Sequence, residues 1–185
     1  MPDPARRAAT YEDLLKVPET LVAELVDGEL FTSPRPANRH ARAATGLGGK
    51  LAPPFDHGDG GPGGWWIVFE PQLHLAADVL VPDLAGWRRE QMPIFPDGPY
   101  FELAPDWVCE VVSPSTGRLD RVQKMPKYAK NGVGHIWLVD PLLRTLEVFR
   151  LEQGHWLLLG THGGEETIRA EPFDAIEIRL TSLWS

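Results

Sequence analysis

Two acidic residues lie at unusual places in this sequence, each inside or directly after a short apolar run typical of a buried strand. Asp83 follows the run 79–82, and Glu110 lies inside the run 107–112. Carboxylates are rare in such runs, because burying an unpaired charge is costly or forces the group into its neutral form. A lysine, Lys124, follows the second run. The pattern predicts a site that binds a divalent metal ion and a phosphate.

The length and composition fit one domain spanning residues 1–185. A chain of 185 residues can bury one sizeable core but is short for two. No apolar run approaches the roughly 20 residues that span a bilayer, so we expect no membrane association. The N-terminal residues lack the apolar core of a secretory signal. Cys109 is the single cysteine, which excludes an internal disulfide and is typical of a cytoplasmic protein.

The net charge of −8 argues against a general nucleic-acid coat protein, which gains its affinity from lysine and arginine on phosphates. It does not exclude a nuclease, whose site must concentrate carboxylates. Taken alone, local basic clusters are typical of solvated surface. Three such clusters are present: Arg35, Arg39 and Arg42; Arg88 and Arg89; and Arg118, Arg121, Lys124, Lys127 and Lys130.

Periodicity and turn residues predict several helices and strands. Helices are expected after Thr10, over 38–51, and from Ser113 towards Asn131 with a kink or restart at Pro126. Strands are expected as an Asp-Gly hairpin over 22–31 and over 65–76, 79–87, 107–113, 135–140, 145–151 and 156–159. The glycine tract 57–64 and the proline-rich stretch 88–105 are predicted to be irregular.

Strand alternation predicts how the second acid is presented. Glu110 shares one face of its strand with Val108 and Val112. Asp83 ends its own run after Pro82, where a strand can open into a site. If the two strands are neighbours, the carboxylates lie close together. Hard oxygen ligands of this kind suit Mg²⁺ or Mn²⁺ better than zinc, and a nearby ammonium can assist the attack of water on a phosphodiester.

Five segments together resemble the PD-(D/E)xK nuclease superfamily, specifically its Uma-type branch of restriction-endonuclease-like proteins. The segments are ELVDGE at 24–29, VPDL at 81–84, PDWVCEVVSPST at 105–116, Asp120 through Lys124 to Tyr128, and Gly132-Val133 with WLVDP at 137–141. The resemblance covers residues 10 to 180. It implies an α/β (α+β) fold, in which a restriction-endonuclease-like mixed central sheet is flanked by helices.

The resemblance also implies roles for particular residues. Asp83 matches the first metal-binding acid of the superfamily, and Glu110 matches the second. Glu24 matches an acid from the N-terminal part, which in some members helps to hold a second metal ion. The implied cofactor is Mg²⁺ or Mn²⁺, and the implied substrate is DNA.

The lysine departs from the superfamily pattern. It is normally two residues beyond the second acid, and that position here is Val112, which can neither bind a metal nor move a proton. Lys124 resembles the displaced lysine of the family and is the predicted substitute. Lys127 is the fallback, because Pro126 makes the helical phase uncertain.

Each residue also has a plainer interpretation. Asp83 could cap a turn, and Glu110 could pair with a structural arginine. Lys124 follows Asp120 by four residues, which is the spacing of an exposed helical salt bridge. His40 resembles a histidine often found in the N-terminal helix of the family, but a solvated or packing role fits it as well.

The sequence therefore predicts a metal-dependent endonuclease that hydrolyses DNA, with Asp83, Glu110, Lys124 and Glu24 in the site. Cutting both strands of a duplex favours a homodimer, and exposed strand edges of the C-terminal meander are the expected interface. The alternative is a catalytically inactive binding or assembly protein that keeps the nuclease fold. Val112 and the negative net charge favour that alternative. A metal-dependent hydrolase of another phosphoester is a further possibility.

Overall fold

The computed structural model describes residues 7–185, which begin with a short helix and a hairpin. Helix α1 (Tyr11–Leu14) starts directly after Thr10, as predicted. Strands β1 (Leu21–Val26) and β2 (Glu29–Pro34) pair antiparallel. The turn residues 27–28 have φ values of 51° and 72°. Positive φ at both central positions matches the twist of a two-residue hairpin, so the predicted Asp-Gly hairpin is confirmed.

The other strands follow in chain order and form two larger sheets and a small pair. They are β3 (Trp65–Phe69), β4 (Leu73–Leu75), β5 (Asp78–Leu80), β6 (Leu84–Arg88), β7 (Trp107–Val111), β8 (His135–Asp140), β9 (Thr145–Glu152), β10 (His155–Gly163), β11 (Thr167–Ile168) and β12 (Ile178–Arg179). The six-stranded sheet has the order β10-β9-β8-β7-β6-β3, and the four-stranded sheet has the order β2-β1-β5-β4. Within the six-stranded sheet β7 and β8 are parallel and the other neighbours antiparallel. The predicted mixed sheet is therefore confirmed.

The prediction of two continuous strands over 65–76 and 79–87 is wrong. Each run is divided, so that β3 and β6 pair in the six-stranded sheet whereas β4 and β5 pair in the four-stranded sheet. The breaks fall next to Pro71 and Pro82. Proline lacks the backbone N–H that a ladder needs, and Glu70 before the first break has a φ of 43°. The chain thus crosses between the two sheets at these prolines.

The helices lie close to their predicted positions, with two changes of helix type. Helix α2 (Asn38–Leu51) is confirmed and continues as a π-helical segment, Ala52–His57, that the sequence did not predict. A second π-helical segment, Leu119–Lys124, precedes α3 (Met125–Lys130). The restart falls one residue before Pro126, where a missing N–H is tolerated at the start of a helix. A last helix, α4 (Thr181–Trp184), ends the chain.

Two apolar layers cover the faces of the large sheet. One contains Trp107, Cys109 and Val111 together with the buried leucines of α2, and the other contains Val108 and Val112. The predicted alternation in β7 is therefore confirmed, and Glu110 lies on the face of the second layer. Because Lys124 and Tyr128 follow on the helical segments, this face is where the acid meets its partners. That residues 1–185 form one domain stays a prediction.

Among the described helices, none combines the length and the apolar character that crossing a membrane requires.

Candidate active site

A cavity of about 370 Å³ lies where β1, the turn before β6, the end of β7 and the start of α2 meet. The acids and cations singled out by the sequence line this cavity together: Glu24, His40, Asp83, Glu110, Asp120 and Lys124. The structure therefore brings all four predicted site residues, Asp83, Glu110, Lys124 and Glu24, to one place. Their roles stay predictions.

Lys124 is the centre of the charge arrangement. Its Nζ lies 2.7 Å from Oε1 of Glu24 and 2.8 Å from Oε1 of Glu110, and its side chain is only 2% exposed. Nζ also donates to the carbonyl oxygen of Val81 at 3.3 Å. Burial alone would lower the pKa of Lys124, but the carboxylates of Glu110 and Glu24 raise it well above its ordinary value. The ammonium therefore stays protonated at neutral pH.

Glu110 is held from two sides inside the fold. Its side chain is 3% exposed, and its Oε1 accepts a hydrogen bond of 2.6 Å from the hydroxyl of Tyr128 on α3. Burial raises the pKa of Glu110, Lys124 opposes this rise, and the charges of neighbouring acids add to it. Because the ionic partner of Glu110 is Lys124, the alternative of a structural arginine is wrong.

Asp83 contacts both β7 and α2 at the cavity. Its Oδ2 accepts from the backbone N–H of Val111 at 2.7 Å, which fixes the carboxylate against β7. Its Oδ1 lies 3.2 Å from Nε2 of His40 on α2. Partial burial would lower the pKa of His40, but contact with Asp83 raises it above its ordinary value. Asp83 thus lies between β7 and a histidine whose role the sequence left open.

Asp120 and Glu24 complete the acids around Lys124. The interpretation of Asp120 and Lys124 as an exposed helical salt bridge is wrong. Asp120 lies 3.7 Å from Nζ of Lys124, but both side chains are buried. Burial raises the pKa of Asp120 to about 6, although Lys124 opposes the rise. Glu24 accepts the backbone N–H of Val81 at 2.7 Å, so β1 is anchored to the cavity wall. The sequence offered one signal for Asp120, its spacing of four residues from Lys124.

The two alternative positions for the lysine lie elsewhere. Val112 is a buried apolar residue whose N–H donates to the carbonyl of Val139 at 2.8 Å. Lys127 is ion-paired with Asp27 and lies 3.2 Å from Asp78, outside the residues that line the cavity. The structure therefore places Lys124, and not Lys127, beside the acids.

The donor set of the cavity fits a hard divalent cation. Five carboxylates line the cavity with only three basic side chains, Arg35, His40 and Lys124, so acids outnumber bases there. Among residues 7–185, no three His, Cys, Asp or Glu side chains are arranged so that they could surround a metal ion by themselves. Mg²⁺ does not need such a cage, since it keeps several waters and binds through one or two carboxylates and substrate phosphates.

One exposed cation lies at the rim of the cavity. Arg35 follows Pro34 and precedes Pro36, and its side chain is 62% exposed. Its guanidinium donates to the carbonyl of Glu19 at 3.0 Å and lies 3.6 Å from the carboxylate of Glu70. Since an exposed pair of this length is weak, Arg35 is free to meet an anion that enters the cavity.

Comparisons with known proteins identify the family and the fold. Residues 8–181 match the Uma2 family, whose description is "Putative restriction endonuclease". The fold is similar to the crystal structure of a "putative nuclease belonging to DUF820" from Anabaena variabilis, with a TM-score of 0.74 and 20% identity. That similarity covers 95% of this chain and 97% of the other and confirms the expected restriction-endonuclease-like fold. No curated protein matches the chain. The matched family covers nearly the whole sequence, and the chain belongs to the Uma2 family.

Proposed function

We propose that this protein is a metal-dependent endonuclease that hydrolyses phosphodiester bonds of DNA. The observation that carries the proposal is the buried ammonium of Lys124 between Glu24 and Glu110, in a cavity that Asp83 also lines. The description of the family and the name of the similar crystal structure support nuclease chemistry. Carboxylates that can hold a divalent ion beside a fixed cation suit phosphodiester hydrolysis.

Asp83 and Glu110 are the residues that would hold Mg²⁺ or Mn²⁺. Asp83 directly precedes β6, Glu110 lies in the neighbouring strand β7, and both line the cavity. A bound divalent ion would lower the pKa of a water molecule and offset charge on the phosphate. The contacts of Asp83 with Val111 and His40 keep its carboxylate in one orientation, which a metal ligand needs.

Lys124 would stabilise negative charge instead of acting as a base. Its raised pKa keeps it protonated, so it cannot take a proton from water at neutral pH. A fixed ammonium in a buried site stabilises negative charge on the phosphate oxygens more effectively than one in bulk water. Glu24 would hold this ammonium in place. The lysine missing at Val112 is thereby replaced from the neighbouring helical segment.

Plasmid nicking with Mn²⁺ tests the proposal. We expect the wild type to nick DNA and both Asp83→Asn and Glu110→Gln to lose the activity at least a hundredfold, since each removes a charged ligand. Asp27→Asn is the matched control, because Asp27 is a carboxylate paired with a lysine outside the cavity. Absence of nicking by the folded wild type would contradict the proposal and favour an inactive binding or assembly protein.

A homodimer is the proposed assembly, because the edge strand β10 exposes Leu157, Leu158 and Leu159. An apolar edge with free backbone groups is a surface for pairing with another strand. In sedimentation, we expect a wild-type dimer and a monomeric Leu158→Lys variant. Leu142→Lys changes an exposed leucine outside β10 and should leave the dimer intact. A wild-type monomer would contradict the assembly.

A further inference from the structure

The two carboxyl oxygens of Glu110 have different surroundings. Oε1 accepts a hydrogen bond of 2.6 Å from the Tyr128 hydroxyl and lies 2.8 Å from Nζ of Lys124. Both donors are themselves completely or almost completely buried. Two close donors on one carboxylate oxygen fix both its position and the rotation of the carboxyl group.

The second oxygen is left without such a contact. Among residues 7–185, no group donates a hydrogen bond to Oε2 of Glu110. Fully buried polar atoms without a partner do occur, at His40 and Trp107, but Oε2 is not one of them, so part of its surface is open. Glu110 also lines the cavity. Oε2 is therefore the oxygen that remains accessible to a ligand.

We propose that Tyr128 is a positioning residue that reserves Oε1 of Glu110 and so presents Oε2 alone to the metal ion. This inference rests on the proposed metal site. Tyr128 itself does not line the cavity, so it acts through Glu110 and not on the substrate. Its ring packs in the apolar layer with Val108 and Val112.

The hydroxyl can be separated from the ring by substitution. Tyr128→Phe keeps the buried ring and removes only the donor to Oε1. Glu110 then keeps Lys124 as a partner but loses the contact that fixes its rotation. Residues that orient a metal ligand typically contribute about 10–100-fold to metal affinity, and we expect a loss of this size for Mn²⁺.

Calorimetric titration with Mn²⁺ provides the test, with thermal unfolding of each protein measured in parallel. We expect Tyr128→Phe to bind Mn²⁺ about 10–100-fold more weakly than the wild type at a temperature where both are folded. Tyr100→Phe, which removes the hydroxyl of a half-buried tyrosine outside the cavity, should bind like the wild type. A purely structural role would lower the unfolding temperature without changing the Mn²⁺ affinity of the folded protein, and that result would overturn the inference.

A measurement on the wild type keeps the inference testable if Tyr128→Phe does not fold. Infrared difference spectra with Mg²⁺ report whether a glutamate binds through one oxygen or two, and ¹³C labelling of the glutamate carboxyl groups separates their bands from those of aspartate. We expect binding through one oxygen, and binding through both would overturn the role of Tyr128. A wild type that binds neither Mn²⁺ nor Mg²⁺ would instead contradict the proposed metal site itself.

Discussion

Two lysines three residues apart, Lys124 and Lys127, each lie between two carboxylates, but in different surroundings. Lys124 contacts Glu24 and Glu110 and is 2% exposed, and these two acids are also buried. Lys127 contacts Asp27 and Asp78 and has a side chain that is 15% exposed. The first group lines a cavity, whereas the second connects the turn of the β1–β2 hairpin to β5 and α3.

The difference lies in the surplus of acid and not in the ion pairs. Around Lys127, Oδ1 of Asp78 accepts the backbone N–H of Asp27 at 2.8 Å, so Asp78 binds the hairpin turn as well as the lysine. Around Lys124, three further carboxylates, Glu70, Asp83 and Asp120, line the same cavity. The Lys127 group has one acid more than its lysine, but Asp27 is 69% exposed and is solvated by water. The Lys124 group holds its excess of acid in a cavity and fits a further cation.

Removing the two lysines in turn should give the largest contrast. We expect Lys124→Met to lower the free energy of unfolding by about 3–5 kcal/mol, because buried carboxylates lose their partner. Lys127→Met should cost about 1 kcal/mol or less, since a partly exposed pair is screened by solvent. Urea unfolding measures both, and nicking should be lost only in Lys124→Met. Equal destabilisation by the two substitutions would contradict the difference in burial between the two lysines.

The burial of Asp120 beside Lys124 predicts that the free energy of unfolding changes with pH by at most about 3 kcal/mol. Burial raises the pKa of Asp120 from 3.8 to about 6, so the folded state holds this proton to a higher pH than the unfolded state does. The free energy of unfolding should therefore fall as pH rises from about 4 to about 6. Asp120→Asn should reduce this fall. Urea unfolding at several pH values checks the difference, and parallel curves for the two proteins would contradict it.

If DNA lies over the cavity and not over the Lys127 group, Arg35 is the exposed cation that meets a phosphate. Arg35→Ala should then weaken DNA binding modestly and reduce the slope of log affinity against log salt by about 1. Fluorescence anisotropy with a labelled oligonucleotide in Ca²⁺ measures the slope. Arg169→Ala, an exposed arginine outside the cavity, is the matched control. An unchanged slope in Arg35→Ala would place the DNA elsewhere.

Some features were predictable because one local pattern determines them. Alternation along β7 sets the face of Glu110, and an Asp-Gly pair sets the hairpin that carries Glu24. The division of the strand runs was missed, although Pro71 and Pro82 were signals for it. Which sheet each half joins depends on pairing between distant segments, which a hydrophobic pattern does not encode.

The contacts within the site were less predictable than its members. The sequence placed Asp83 and Lys124 in one site but left His40 open and gave Tyr128 no role. The contacts of these two residues join elements that are distant in the sequence. His40 on α2 contacts Asp83, and Tyr128 on α3 contacts Glu110. Side chains on helices meet strand residues only after the helices have packed, so no spacing along the chain predicts the distances.

Calorimetric titration of Mn²⁺ into the wild type, Asp83→Ala, Glu110→Ala and Asp78→Ala tests the central claim most directly. Asp78→Ala changes a buried carboxylate of the Lys127 group and serves as the control. We expect micromolar binding by the wild type and Asp78→Ala and loss of binding in both cavity variants. Absence of binding by the folded wild type, or binding that depends on Asp78 instead of Asp83 and Glu110, would contradict it.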